Sequence, residues 1–139
     1  IVKVYEEGRR VSFDPGTGFI DFPGGKSKFT IRWDEKTHAY WTLTNNTTNP
    51  PFPIVRNVLS LYSSEDLIRW RYTRTLLEDD LDLTPEESAR LTGFQYADWQ
   101  FDGDDIICLV RTAYDGAHNF HDSNRITFHR IDNYRSLVE

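Results

Sequence analysis

The chain has 139 residues, a net charge of −6 and an aromatic content of 14%, which suits one ordinary domain with a real core. The acidic residues are scattered or in short clusters, so the charge argues against binding to nucleic-acid phosphates. No apolar run approaches the roughly 20 residues that a membrane-crossing helix needs, and the single cysteine, Cys108, lies in an apolar run where a buried thiol is expected.

The beginning of the chain predicts short strands at Ile1–Tyr5 and Arg10–Phe13, followed by a turn-rich link. There is no methionine, including at position 1. We therefore expect an excised segment of a longer protein, in which a signal peptide or further domains would lie upstream.

A hairpin follows, with strands at Lys28–Trp33 and His38–Thr44 joined by a polar turn. Apolar side chains alternate along both strands, which places them on one face of each. These side chains are Phe29, Ile31 and Trp33 on the first strand and Ala39, Trp41 and Leu43 on the second. Most aromatic residues on strands belong to a core, so we expect Trp33, Trp41 and Trp99 to be buried.

The next segment contains a Pro-rich loop at 45–53 and strands at Arg56–Ser63 and Arg71–Leu77. With the hairpin they form a four-stranded antiparallel meander of the size of a propeller blade. A short helix is predicted next, because Thr84 suits the N-cap, Pro85 the first turn, Glu87 a capping box and Gly93 a left-handed C-terminal position.

Three further strands, at Phe94–Phe101, Ile106–Arg111 and Arg125–Ile131, complete a second meander, with a tight turn at Asp102-Gly103. Along the second of these strands, Ile107 and Leu109 point to one face and the other apolar side chains point to the opposite face. Both faces of this sheet should therefore be covered. The expected fold is all-β with one short helix. It comprises the end of one blade (1–22), a full blade (23–80), and the helix with a last blade (81–139).

One turn carries a motif. Ser64, Asp66 and Trp70 resemble the Asp-box, or BNR repeat, of sialidase-like β-propellers. A short carboxylate can accept hydrogen bonds from free turn amides, and the Trp can pack beneath the turn. We therefore interpret these three residues as structural.

Several longer segments resemble the last two blades of bacterial sialidase-like glycoside hydrolases. They are 23–25, 28–32 and 40–45 for one blade, and 94–99, 111–115, 121–124 and 127–130 for the closing one. The resemblance implies the C-terminal part of a sialidase-like β-propeller, a partial ring of about two and a half blades. It also implies a secreted or periplasmic carbohydrate-active hydrolase that acts on a glycan without a cofactor.

The resemblance further implies a carboxylate held by arginines, a tyrosine nucleophile and an aspartate acid/base. The candidate substrate-binding residues are Arg32, Arg56, Arg111, Tyr96 and His118, and the candidate catalytic residues are Tyr114, Asp98, Asp122 and His121. Arg111 interrupts an apolar strand just before a polar loop, where its fork suits a carboxylate or sugar hydroxyls. A salt bridge to an Asp of a neighbouring blade is the alternative role.

Two carboxylates could share acid/base work. Asp98 lies on the same strand face as Tyr96, so a carboxylate beside an aromatic platform is expected, and Asp122 is its prospective partner. His121 and Asp122 equally suit a loop held by its own side-chain bonds. His118, His121 and Asp122 do not predict a metal, because no further ligands lie nearby.

Three functions remain open at this point. The first is a fragment of a glycosidase, incomplete as an active site by itself. The second is a carbohydrate-binding module without turnover. The third is a structural piece that forms a homodimer through its open blade faces.

Overall fold

The computed structural model describes residues 1–46 and 54–138, and its described part is mostly β. The strands are β1 (Lys3–Tyr5), β2 (Arg10–Ser12), β3 (Thr30–Asp34), β4 (Ala39–Asn45), β5 (Val58–Ser64), β6 (Arg71–Glu78), β7 (Gly93–Asp102), β8 (Asp105–Ala113) and β9 (Arg125–Ile131). The helix α1 spans Pro85–Leu91, and single 3-10 turns lie at Glu6–Gly8 and Tyr134–Leu137. Residues 47–53 of the expected loop lie outside the described ranges.

The strands form three antiparallel sheets. β1 and β2 make a two-stranded ribbon, β3 to β6 a four-stranded sheet, and β7 to β9 a three-stranded sheet, each in the order of the sequence. Both predicted meanders are confirmed. Short polar turns between alternating apolar strands favour this arrangement, because each strand pairs with the one that follows it.

The two larger sheets share one core. Trp41 on β4 and Trp99 on β7 are almost fully buried in it. The Trp99 indole donates to the Thr30 carbonyl at 3.2 Å, which joins the sheets by a hydrogen bond as well as by packing. Each such side chain buries 150–250 Å² or so, and burying it contributes a few kcal/mol. The expected burial of both tryptophans is confirmed.

The expected burial of Trp33 is wrong, because its side of β3 faces outward. In the register of the hairpin, Arg32 lies opposite Trp41, and cross-strand partners share a face. The core side of β3 is therefore the side of Arg32, and Trp33 is left 38% exposed. Alternation was predicted correctly, but which face is buried depends on the partner sheet.

One face of the three-stranded sheet is left largely open in the described chain. Cys108 and Val110 on β8 are buried, as expected. Leu109 is 52% exposed and lies opposite Phe128 of β9, which is also exposed. The prediction that both faces would be covered is wrong for the described chain.

The start of helix α1 is as predicted and its end is not. Thr84 accepts from the Glu87 amide at 3.3 Å, and the Glu87 carboxylate accepts from the Thr84 amide at 3.0 Å. The helix ends at Leu91, and Gly93 begins β7. The expectation of a left-handed Gly93 is wrong. The Phe120 carbonyl lies where a side chain would begin, so close approach requires glycine here.

A buried ion pair fastens the segment after β9 to the four-stranded sheet. Arg135 donates to the Asp34 carboxylate at 3.1 Å, and Thr37 donates to it at 2.8 Å. Asp34 is 6% exposed. Among the described residues, the single α-helix is too short to cross a membrane.

Candidate functional site

The structure distributes the predicted site residues over four places. Arg56, Tyr96, Arg111 and His121 come together beside the start of β7, with the loop that holds His118 and Asp122 next to them. Tyr114 lies elsewhere. The remaining predicted residues belong to the middle of β7, namely Asp98 with its neighbour Arg32, or to the turn with Ser64, Asp66 and Trp70.

Tyr96 lies in a β-bulge. The register with β8 shifts between Gln95 and Asp98, so β7 carries one residue more than its partner there. Tyr96 has a φ of +51°, which is rare for a large aromatic residue and costs on the order of 1–3 kcal/mol. The prediction that Tyr96 and Asp98 share a face depends on regular alternation, which the bulge interrupts. Strain of this kind concentrates at functional sites.

Three cations surround the Tyr96 ring. The guanidinium carbons of Arg56 and Arg111 lie 5.1 and 5.7 Å from its centroid, and the Lys28 Nζ lies 5.0 Å from it. Within the described ranges, none of the three cations forms an ion pair with an Asp or Glu. The chain as a whole is acidic, with a net charge of −6, so this local excess of positive charge stands out from the rest of the chain.

The cations act on the Tyr96 hydroxyl. Arg56 Nη1 donates to its oxygen at 3.3 Å, and this bond lowers the hydroxyl pKa. Partial burial opposes the change, whereas the charges of Arg56, Lys28 and Arg111 lower the pKa further. His121 Nε2 lies 3.5 Å from the same oxygen. The three cations therefore stabilise the ionised form of the Tyr96 hydroxyl relative to a free tyrosine, and the His121 imidazole lies beside it.

Hydrogen bonds to the backbone hold Arg111 and Arg56 in place. Arg111 Nη2 donates to the His121 carbonyl at 3.0 Å. The Arg56 carbonyl accepts from the Phe94 amide at 2.8 Å, and the buried Asn45 amide donates to the Phe94 carbonyl at 2.7 Å. The alternative that Arg111 serves an Asp is not seen among the described residues.

The polar loop is an Asx turn with an ionised carboxylate. Asn119 Oδ1 accepts from the amides of His121 and Asp122 at 2.8 and 2.9 Å. Asp122 pairs with His118 at 3.2 Å and accepts from Asn119 at 2.7 Å. These bonds, His118 first, lower the Asp122 pKa, which suits a base better than an acid at neutral pH. No three acidic, His or Cys side chains of the described part are arranged to hold a metal.

Tyr114 has a different environment from Tyr96. Its hydroxyl donates to Asp80, and this hydrogen bond is the main reason that its pKa is raised to about 12. Arg125 lies 5.2 Å over its ring. A hydroxyl that holds its proton this tightly is a poor nucleophile, so the geometry favours Tyr96 for that role.

Asp98 and Arg32 form a loose pair at 3.9 Å, on the far side of the bulge from Gln95. Arg32 Nε donates to the Trp99 carbonyl at 2.7 Å, and its guanidinium lies 5.4 Å over the Trp99 ring. Arg32 is thus committed to the contact between the sheets. Asp98 is largely exposed to solvent.

The Ser64 to Trp70 turn is held by side chains. Asp66 accepts from the amides of Ile68 and Arg69 at 2.9 and 2.8 Å, and these bonds place its pKa well below the usual range. The Trp70 indole donates to a turn carbonyl at 3.3 Å. An open cavity of about 290 Å³ lies beside the turn.

Three residues of the site are not marked by the local sequence: Lys28, Asn45 and Gln95. Lys28 is simply the first residue of a predicted strand, and Asn45 is the first residue of a predicted loop. Nothing local marks them, because each acts on residues between 11 and 68 positions away, as the Asn45 bonds to Arg56 and Phe94 illustrate.

Comparison of the chain with protein-family models, with curated proteins and with solved structures finds no match.

Proposed function

We propose that the cluster of Lys28, Arg56, Arg111, Tyr96 and His121 binds the carboxylate of an acidic sugar. The observation that carries this proposal is the convergence on one strained tyrosine of three cations that have no acidic partner within residues 1–46 and 54–138. A carboxylate supplies the missing negative charge, and arginine forks match its two oxygens. The Tyr96 ring adds an apolar surface against which a sugar can lie.

We infer further that the chain belongs to a sialidase-like β-propeller and that the whole protein hydrolyses a glycosidic bond. Consecutive antiparallel sheets of four and three strands that share a core, together with the Asp66 turn, support the architecture. A secreted or periplasmic location, a glycan substrate and the absence of a cofactor follow from the same resemblance. Blades absent from this chain would supply the other walls of the site.

In such a hydrolase Tyr96 would take the nucleophile's place. Its oxygen would attack the anomeric carbon, and the bond to the leaving oxygen would break as that oxygen takes a proton from a protonated carboxylic acid in one of the walls of the site outside this chain. Water would then release the sugar from the tyrosine. His121, 3.5 Å from the hydroxyl, is placed to accept the proton of Tyr96, and the ionised Asp122 is the candidate base for the attacking water.

A glycan array tests the proposal. We expect wild-type chain to bind glycans that end in N-acetylneuraminic acid or a uronic acid more tightly than their neutral counterparts. Arg111→Gln should lose at least tenfold in affinity. The matched control is Arg125→Gln, which removes an arginine that stacks on Tyr114 instead. Equal binding of acidic and neutral glycans would contradict the proposal.

Turnover separates a hydrolase from a simple binding module. Release of 4-methylumbelliferone from its sialoside or glucuronide by the full-length protein, and its loss in Tyr96→Phe, is the expected result. Tight binding by a protein that turns over neither compound would favour the binding module.

A second candidate function is self-association, favoured by the outer face of the three-stranded sheet. Leu109, Ile126 and Phe128 lie side by side there and are 52%, 70% and 60% exposed. Apolar patches of this kind mark interaction sites. We propose a second copy of the chain as the occupant. Light scattering should then give a dimer that Phe128→Lys dissociates, and a monomeric wild-type chain would contradict this.

A further inference from the structure

A buried glutamine behind the site connects its parts. Gln95 is fully buried, although it lies on the outer face of β7 opposite Arg111. It is covered by the loop that carries His121. A buried polar side chain is tolerated when its hydrogen bonds are made, and those of Gln95 go to two different parts of the site.

The carbonyl half of the amide serves Arg56. Arg56 Nη1 donates to Gln95 Oε1 and also to the Tyr96 hydroxyl, the latter at 3.3 Å. Gln95 thus orients the guanidinium group that lies over the Tyr96 ring. Without this acceptor, the nitrogen that donates to Tyr96 would lose one of its two partners.

The amino half of the amide serves the loop. Gln95 Nε2 donates to the Phe120 carbonyl at 2.6 Å and to the His121 carbonyl at 3.0 Å. The His121 carbonyl also accepts from Arg111, and the Phe120 amide donates to the Arg90 carbonyl at 2.7 Å. The backbone that presents the His121 ring is therefore fixed relative to β7 and β8.

We propose that Gln95 is a positioning residue that sets Arg56 and His121 together against Tyr96. The expected effect of Gln95 on sugar binding rests on the proposed function, whereas its positioning of Arg56 and His121 can be measured in the protein without a sugar. The Gln95 amide links β7 to the loop and to the segment just before β5. It therefore fixes the position of the Arg56 guanidinium relative to the His121 imidazole. Apolar packing at position 95 would fill the space without fixing either.

Two variants separate the two halves of the amide. Gln95→Met keeps the length of the side chain and removes both kinds of hydrogen bond. Gln95→Glu keeps an acceptor for Arg56 but cannot donate to the carbonyls of Phe120 and His121 at neutral pH. Gln100→Met is the control, because Gln100 lies on the same strand and is exposed.

The readouts are the titration of the Tyr96 ring by carbon NMR, assigned with Tyr96→Phe, and the ring signals of His121. We expect Gln95→Met to raise the pKa of Tyr96 toward that of free tyrosine and to shift His121. Gln95→Glu should shift His121 as well. In an Arg56→Gln background, Gln95→Met should change the Tyr96 titration less than it does in the wild-type chain, because the route through Arg56 is already removed and only the route through His121 remains. Gln100→Met should change neither signal.

Affinity for N-acetylneuraminic acid, measured on the same samples, keeps the two proposals apart. A loss of about tenfold in Gln95→Met is expected. If wild-type chain binds no sugar but the Tyr96 and His121 signals respond as described, the positioning role stands and the proposed function fails. Folded variants with lower thermal stability but unchanged Tyr96 and His121 signals would overturn the positioning role. Unfolding of both Gln95 variants would also overturn it, since Gln95 would then support the sheet as a whole.

Discussion

Replacing Asp34 by Asn should remove the fastening between β3 and the segment that follows β9. Burial raises the Asp34 pKa, but hydrogen bonds from Arg135 and Thr37 outweigh burial and bring it to about 2. The amide introduced by Asp34→Asn would keep the shape of the side chain and lose its charge. Among the residues that the structure describes, Arg135 would then have only the exposed Asp104 as an anionic partner.

The magnitude follows from the difference between the folded and unfolded pKa values. A carboxyl with a pKa of about 2 in place of 3.8 stabilises the folded state by about 2 kcal/mol at neutral pH. Because the folded pKa is the lower one, this contribution is complete above about pH 4. It is lost as the pH falls toward 2 and the folded carboxyl takes up its proton.

Urea unfolding from pH 7 to pH 2 measures the effect. We expect Asp34→Asn to lower the free energy of unfolding by about 2 kcal/mol at pH 7 and the deficit to shrink below pH 4. Asp104→Asn is the control, since Asp104 also pairs with Arg135 but is exposed to solvent, and it should cost less than about 1 kcal/mol. A deficit that is independent of pH, or equal costs for the two variants, would show that the charge of Asp34 does not stabilise the fold.

Three other expectations follow from the described contacts. Trp41→Ala should lower the free energy of unfolding by about 3–5 kcal/mol, whereas Trp33→Ala, on the outward face, should lower it by about 1 kcal/mol or less. Similar losses for the two variants would contradict the assignment of Trp41 to the core and Trp33 to the surface. Lys28→Gln should raise the Tyr96 pKa measured by NMR, and an unchanged titration would remove Lys28 from the site. The bond from Tyr114 to Asp80 raises the Tyr114 pKa to about 12, so it stabilises the fold below pH 10 and this stabilisation is lost as the pH rises toward 12. Tyr114→Phe should flatten the fall in the free energy of unfolding over that range. Identical curves of unfolding free energy against pH for the two proteins would contradict the bond.

The strands and their order could be predicted from local sequence. Alternation in 28–33 and 106–111, turn residues between the strands and the Thr84 capping box each act over a few positions, so their signal survives in the sequence. The faces could not be predicted. Arg32 lies on the core side of β3 because the Trp99 backbone and ring receive it from another sheet, and no local pattern contains that partner.

The candidate site was predicted in part. Arg56, Arg111, Tyr96 and His121 were named as site residues, and the structure brings them together. Regular alternation along β7 gave no sign of the bulge, so the left-handed Tyr96 could not be foreseen. Which of the two tyrosines, Tyr96 or Tyr114, has the lowered pKa likewise depends on groups that are distant in the sequence. Asp80, which holds the Tyr114 proton, lies 34 residues away in the sequence.

The central claim is that the cations around Tyr96 recognise a carboxylate, and comparison of one sugar with its neutral ester tests it most directly. Isothermal titration of the wild-type chain with N-acetylneuraminic acid and with its methyl ester changes only that charge. We expect the acid to bind at least tenfold more tightly than the ester, a difference of about 1.4 kcal/mol or more, and added salt to reduce the difference. Equal affinities for acid and ester would contradict it.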